Sequence, residues 1–267
     1  MKVSMICTVL NEDKNIDYFL NSIISQTMKP DEFIIVDGGS KDRTYDRLRS
    51  FSKKHKWIKV YQTKGVNIPQ GRNRAIERSR NEVIVGVDAG TKYEKDWLEK
   101  LTQGFMGGVA FGQTLPLIED DFQRVLAGKM RQRYGSSRNI IFEKKVWKAV
   151  GKYPEDLKIA EDTVFNELAR RKGFRIGMIP GAVGHWEMRS TLKDLKKQFR
   201  AYGYWDHVAY KKYDILPLKS KILICALTLL FAIYPIIWLF SQVSLPAKIS
   251  FAKRFEYVKG FWWGLRR

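Results

Sequence analysis

Hydrophobic residues along this chain fall into two alternating rhythms. Short apolar runs at Val3 to Leu10, Glu32 to Val36, Trp57 to Gln62 and Glu82 to Thr91 read as buried strands, since a strand covered on both faces shows little polar alternation. Between them apolar residues recur at helical spacing: Ile16, Phe19, Leu20, Ile23 and Ile24 share one face of a helix over Ile16 to Ser25. After the second strand, Asp37-Gly38-Gly39-Ser40 permits a tight turn, and Ser40 or Asp42 is placed to cap the next helix. Pro69 to Ile76 reads as the first turns of another helix, with Arg72 and Arg74 near its start. Cations there are unfavourable unless something anionic binds, which points to a phosphate. The alternation predicts an α/β fold with a Rossmann-like, mostly parallel sheet and helices on both faces.

The rhythm continues beyond the fourth strand. It gives helices at Trp97 to Phe105, Asp120 to Met130, Lys144 to Val150 and from Glu161 to Lys172, with strands at Gly108 to Gln113, Asn139 to Phe142 and Arg175 to Ile179. A glycine-rich bend then leads to His185-Trp186. From Thr191 the pattern changes, so the chain divides into a first domain over 1–190 and a membrane-associating region over 191–267. Residues 191–213 place Leu192, Leu195, Phe199 and Tyr202 on one face and lysines with Arg200 on the other, the pattern of an interfacial helix. Residues 222–247 carry no charge, which exceeds the roughly 20 apolar residues that cross a bilayer. Pro235 near the middle leaves a kinked spanning helix or a re-entrant hairpin. Cations flank both ends, which favours the hairpin with both ends at the cytoplasmic side of the cell membrane. Residues 251–265 form a second aromatic amphipathic helix.

Composition sharpens this picture at two points. The net charge of +20 needs an anionic counterpart, and anionic lipid headgroups or a phosphorylated small molecule supply it; no fold signature for nucleic acid is present. Cys7 and Cys225 offer neither a disulfide framework nor zinc spacing, which fits a reducing setting.

Candidate chemistry sits at strand ends. Asp37 and Asp88 each close an apolar strand, and in open α/β sheets ligands bind beyond the carboxyl ends of strands; the alternative for Asp88-Ala89-Gly90 is a plain turn. The ordered series Thr8-Val9-Leu10-Asn11-Glu12, Ile35 to Thr44 (IVDGGSKDRT), Arg72-Asn73, Asp88-Ala89-Gly90 and Glu161-Asp162 resembles glycosyltransferase family 2, inverting enzymes with a GT-A fold. The resemblance covers roughly residues 1–190. It implies that the end of the first strand (Thr8, Asn11, Glu12) and Asp37 contact the base and ribose of a UDP- or GDP-sugar, with Arg72-Asn73 also at the nucleotide. Lys41, Lys64 and Arg72 are placed to neutralise its phosphates. Asp88 falls on the first acid of the family's Asp-x-Asp signature, which ligates Mn²⁺ or Mg²⁺, but Gly90 replaces the second. His185 resembles a late histidine that ligates metal in some GT-A enzymes; a hydrogen-bonded histidine at a domain edge is the other reading. Asp162 resembles the family's general base, with Glu161 orienting acceptor or base. The implied acceptor is lipid-linked or a cell-surface glycan, as in polysaccharide biosynthesis. Two alternatives stand beside it: a polyprenyl-phosphate glycosyltransferase, whose ionised acceptor needs no base, and a nucleotide-sugar-binding membrane scaffold without turnover.

Overall fold

The computed structural model describes residues 1–128, 135–215, 222, 224–225 and 234–264. Contacts divide the chain into two compact units: Met1–Leu117 with Gln132–Glu187, and Ile118–Arg131 with Met188–Arg267. The described residues 118–128, which the sequence reading places in the first domain, cluster with the second unit.

The first unit is built on eight strands, β1 (Val3–Val9), β2 (Glu32–Asp37), β3 (Ile58–Gln62), β4 (Val83–Val87), β5 (Thr91–Tyr93), β6 (Val109–Leu117), β7 (Asn139–Glu143) and β8 (Ile176–Glu187). They form one sheet in the order β3-β2-β1-β4-β7-β6-β8-β5. β1 to β4 are mutually parallel, as expected from their buried apolar character. The second half of the sheet is mixed, because β7 runs antiparallel to both β4 and β6 and β5 runs antiparallel to β8. Periodicity carries no strand direction, so this was not legible in the pattern. The bend expected after Ile179 lies inside one long strand: β6 pairs with β8 up to Gly112 and Ile179, then resumes at Gln113 and Val183. Pro180-Gly181-Ala182 therefore bulges out, where proline can sit because it owes no ladder donor. Gly112 makes room, since a Cβ there would lie 2.4 Å from the Ala182 carbonyl oxygen.

Helices cover both faces of this sheet. α1 (Ile16–Ile24) and α4 (Trp97–Gln103) bury Phe19, Leu20, Trp97 and Leu101 against Met5, Phe33 and Val85. On the other face, α3 (Ile68–Arg78), α6 (Lys144–Ala149) and α7 (Glu161–Arg171) bury Ile76, Trp147 and Phe165 against Ile34, Ile84 and Phe142. The N-cap of α2 (Thr44–Lys54) is Arg43 rather than Ser40 or Asp42; the Asp42 carboxylate still accepts from the Thr44 amide at 3.0 Å just before the helix.

One charge is sealed into the sheet's opposite end. Glu32 at the start of β2 is fully buried and accepts from the Ser4 hydroxyl at 2.7 Å, the Arg80 amide at 2.6 Å and Lys59 Nζ at 2.8 Å. Burial opposes its ionisation, but these donors outweigh it and hold the carboxyl down at about 2. A carboxylate whose value is lowered on folding stabilises the protein above its unfolded value, near 4.5, and that stability is lost as pH falls toward 2. Glu32→Gln should therefore lower neutral-pH stability by roughly 2–3 kcal/mol. Urea unfolding should show the difference between the two proteins shrinking below pH 4.5 and vanishing near pH 2.

The second unit contains α5 (Asp121–Ala127), α8 (Leu192–Tyr213), α9 (Tyr234–Ser241) and α10 (Leu245–Gly264). α8 and α10 pack backbone to backbone. A Cβ at Gly203 would lie 1.8 Å from the Tyr257 carbonyl oxygen, and one at Gly260 would lie 1.9 Å from that of Arg200. Glu256 is buried at this crossing and accepts from Arg200 Nε at 2.6 Å, while the Tyr257 hydroxyl donates to Asp206 at 2.5 Å. On the aromatic face of α8, expected to lie in a membrane interface, Phe199 and Tyr202 join a cluster with Ile224, Tyr257 and Phe261. An apolar face is satisfied equally by lipid or by a partner helix, and here the two glycines let the partner approach. The continuous apolar segment over 222–247 is interrupted too, because α9 ends at Ser241 and a turn precedes α10. Residues 223 and 226–233 of that segment lie outside the described residues. No helix among the described residues is long and apolar enough to cross a membrane.

Candidate active site

The site begins with a glycine. Gly71, in the first turn of α3, lies so close to β1 that a Cβ would sit 2.4 Å from Thr8 Cγ2. A capping box between Asn67 and Gln70 fixes that turn. The close approach carries Arg72, 5% exposed, beneath the carboxyl ends of the strands. Its Nη2 donates to Asp88 Oδ1 at 2.8 Å and its Nη1 to Glu161 Oε1 at 2.5 Å. Three segments far apart in sequence are thus tied by one guanidinium. Burial works against the cation, but Asp88 and Glu161 together hold it well above its ordinary range.

Each carboxylate has its own support. Asp88 follows β4, and its amide donates at 3.2 Å to the hydroxyl of Tyr93, a buried residue on β5. Glu161 and Asp162 open α7, and Ala160 before them adopts a left-handed conformation with φ of 69°. For a non-glycine residue that costs of order 1–2 kcal/mol, which the packing around the turn must offset. Asp162 is half-buried, with Oδ1 accepting from the Thr163 amide at 2.8 Å and Oδ2 from the Ser137 amide at 3.4 Å. Burial and the neighbouring Asp162 push Glu161 up to about 7, against the pull of Arg72. The result is a proton-accepting pair beside a fixed cation.

The residues expected at the nucleotide divide by whether their hydrogen-bonding capacity is already taken. Asp37 is fully buried at the end of β2, next to β1 and two strands from β4. Its carboxylate accepts from the Ser40 hydroxyl at 2.5 Å, the Gly39 amide at 3.1 Å and Gln62 Nε2 at 2.8 Å. It orders the loop after β2 rather than presenting a free oxygen. Asn73 differs most from expectation. Its amide donates to the Tyr153 carbonyl and to Glu155, both at 2.9 Å, and accepts from Trp147 Nε1 at 2.9 Å and the Tyr153 amide at 3.0 Å. All four positions of a carboxamide are filled, so Asn73 holds the 147–155 segment and has nothing left for a ligand.

Asn11, with φ of 56°, joins the same loop by receiving the Lys41 amide at 2.9 Å. Glu12 is half-buried, its amide bonded to the Thr44 hydroxyl at 2.7 Å. Its carboxyl is pushed up by burial and by the charges of Glu187 and Asp88, so it belongs to the same field as Asp88. Lys64 is exposed and lies against Gly39, whose φ of 96° only glycine adopts freely. Thr8 faces α3, 3.4 Å from the Ile68 carbonyl oxygen.

A divalent metal would find little ready-made here. No group of three or more ligating side chains occurs among the described residues. Asp88 keeps one oxygen unpaired by Arg72, and the space a side chain at Gly90 would enter is open. These features suit an ion that arrives with a diphosphate and takes one carboxylate from the protein, as Mg²⁺ commonly does. His185 lies opposite Lys92 and has Nε2 3.2 Å from Glu94. What β8 brings to the Asp88–Gly90 turn is Glu187, whose amide donates to the Gly90 carbonyl at 2.9 Å and whose carboxylate accepts from Asn15 at 2.8 Å. Glu187 and Tyr93 have no motif in the sequence; only the pairing of β5 with β8 places them.

Comparison with known proteins agrees with this geometry. The family Glycosyl transferase family 2 matches residues 4–175. Glycosyltransferase AglE of Haloferax volcanii is 26% identical over 218 residues, covering 74% of this chain and 71% of that one. A Methanococcus voltae protein named as a dolichyl N-acetyl-α-D-glucosaminyl phosphate 3-β-D-2,3-diacetamido-2,3-dideoxy-β-D-glucuronosyltransferase is 21% identical over 229 residues, 75% of this chain and 71% of that one. Probable glycosyltransferase YdaM of Bacillus subtilis is 27% identical over 227 residues, 78% of this chain but only 48% of its own length. Among solved structures, the mannosyltransferase PcManGT of Pyrobaculum calidifontis, in complex with GDP-Man and Mn²⁺, superposes with a TM-score of 0.71 at 15% identity, covering 99% of this chain and 87% of that one. That likeness shows the GT-A fold.

Proposed function

The chain belongs to glycosyltransferase family 2, enzymes that move a sugar from a nucleotide sugar, and from that premise we propose a membrane-associated inverting transferase acting on a lipid-linked or cell-surface glycan acceptor. The observation that carries the reading is the Arg72 bridge. It joins Asp88, at the strand ends where a donor diphosphate would lie, to the Glu161-Asp162 pair. In direct displacement the acceptor hydroxyl attacks the anomeric carbon as its proton leaves, from the side opposite the departing diphosphate. Asp162 takes that proton. Arg72 keeps Asp88 and Glu161 fixed, so their charges need no reorganisation as the diphosphate departs. Asp88 would hold Mn²⁺ or Mg²⁺, which would supply neutralisation of the charge that develops on the leaving diphosphate.

The acceptor class is supported by two independent features. One relative, matched over three quarters of this chain, has a dolichyl N-acetyl-α-D-glucosaminyl phosphate, a lipid-linked sugar, in its name. The chain also carries the uncharged segment 222–247 with cations on both flanks, which fits a catalytic unit held at the cytoplasmic face of a cell membrane. A thermal-shift screen of UDP, GDP and dTDP, each with Mn²⁺ or Mg²⁺, tests the donor half. One nucleotide should raise the melting temperature by several degrees at about 100-fold excess over its Kd, where linkage contributes roughly 2.7 kcal/mol. Asp88→Asn should abolish the metal-dependent part of that shift. A flat response to all three nucleotides would remove the donor-binding premise.

A further inference from the structure

Part of the aromatic surface expected to meet lipid is covered, and a second apolar surface is not. While Trp262 and Trp263 at the end of α10 stay exposed, α8 and α10 join Phe199, Tyr202, Tyr257 and Phe261 in one cluster. At the junction of α9 with α10 the opposite holds. Ile236, Trp238, Leu239, Phe240, Val243 and Leu245 are all exposed, from 41% at Leu245 to 82% at Val243. Ile236, Leu239, Phe240 and Val243 follow three- and four-residue spacing and so form one stripe running into the turn. Soluble surfaces seldom gather so many large apolar side chains within ten residues.

We propose that this α9–α10 tip is a wedge that enters the interface of an anionic bilayer and docks the protein on one leaflet without crossing it; the inference rests on the membrane-association part of the proposed function. α9 has eight residues, about 12 Å at 1.5 Å per residue, far less than a hydrocarbon core of about 30 Å. Charge selects the occupant. The first charged residue after the tip is Lys248, and Lys253, Arg254 and Lys259 follow on α10. The only acid on α10, Glu256, is buried on Arg200. An apolar tip with a cationic shaft matches acidic headgroups over acyl chains. Two copies meeting through the same tip would instead oppose like charges across their symmetry axis.

The full-length protein tests this by flotation with equimolar phosphatidylglycerol and phosphatidylcholine vesicles, against phosphatidylcholine alone. A Leu239→Ser, Phe240→Ser, Val243→Ser triple variant alters only exposed side chains. It should lose at least about tenfold in binding to the anionic vesicles, since three large apolar side chains are removed from the acyl region. Val243→Cys in a Cys225→Ser background, carrying an environment-sensitive dye, should shift to the blue and be quenched by brominated lipid. An unshifted dye, undiminished flotation of the triple variant, or a dimer in vesicle-free solution that the triple variant dissolves would each overturn the proposal, the last by assigning the tip to a second copy. Nucleotide thermal shifts on the unmodified protein, beside its flotation, separate the two readings. Vesicle binding without any nucleotide response fells the catalytic reading and leaves the wedge, and a normal nucleotide response with no vesicle binding does the reverse.

Discussion

Asp162→Asn leaves nucleotide binding near wild type and lowers sugar transfer by about two to four orders of magnitude, the span a positioned general base contributes. Asparagine keeps the size of the side chain, and its one carbonyl oxygen can still accept from the Thr163 amide at 2.8 Å; only the longer contact from the Ser137 amide, at 3.4 Å, is given up, so folding is little disturbed. What it removes is the capacity to take a proton. The effect falls on kcat, because the interaction is made as the acceptor hydroxyl ionises and not on binding. The variant also has a signature beyond activity. The charge of Asp162 is one of the causes that push Glu161 up to about 7, so removing it moves the Glu161 midpoint down toward 4.5. In the wild type that carboxyl binds a proton on folding between those two values. Its contribution to stability is therefore full below pH 4.5 and lost as pH rises through 7, and the variant narrows that window. Activity that survives Asp162→Asn, together with the narrowed window, would mean an acceptor already ionised, such as a polyprenyl phosphate.

The parts of the fold that were readable share one property: local pattern decided them. The four parallel strands and the helices between them follow from apolar runs and helical spacing, and Asp88 and Glu161-Asp162 were visible because they interrupt or open such elements. Strand direction at β7, the three-residue strand β5 and the bulge at Pro180 were not, since each depends on a partner distant in sequence. The same limit hid Tyr93 and Glu187, which reach the Asp88 turn only through β5 and β8. Asn73 shows the converse. A motif position marked it for the nucleotide, yet only coordinates reveal that Trp147, Tyr153 and Glu155 fill its amide. In the second unit, an amphipathic pattern told that α8 needed an apolar partner and not which one; the reciprocal glycines at 203 and 260 were the sign that the partner is a helix.

Arg72→Ala should be the most damaging single change in the first unit. Arg72 is buried, and its removal leaves Glu161 almost wholly enclosed and Asp88 two-thirds enclosed without their shared counter-charge. Breaking one member out of a buried ion cluster costs roughly 3–5 kcal/mol, or about 6–20 °C in melting temperature for a chain of this size. Lysine does not rescue it, because one ammonium cannot make the two divergent contacts that the planar guanidinium makes at once. The penalty should be smaller when Glu161→Gln accompanies Arg72→Ala than when Arg72→Ala stands alone, since the buried carboxyl that loses its donor, and that is pushed further up without Arg72, is replaced by a neutral amide. A double-mutant cycle measures that coupling, and a merely additive result would show that the two side chains do not act as a unit. Catalysis separates the structural part from the chemical part. In Arg72→Ala with Glu161→Gln, regained stability should not bring regained transfer, because the donor end and the base end of the cleft are no longer held in one register. Recovery of both together would reduce the bridge to packing and leave Asp162 without the link to Asp88 on which the proposed displacement depends.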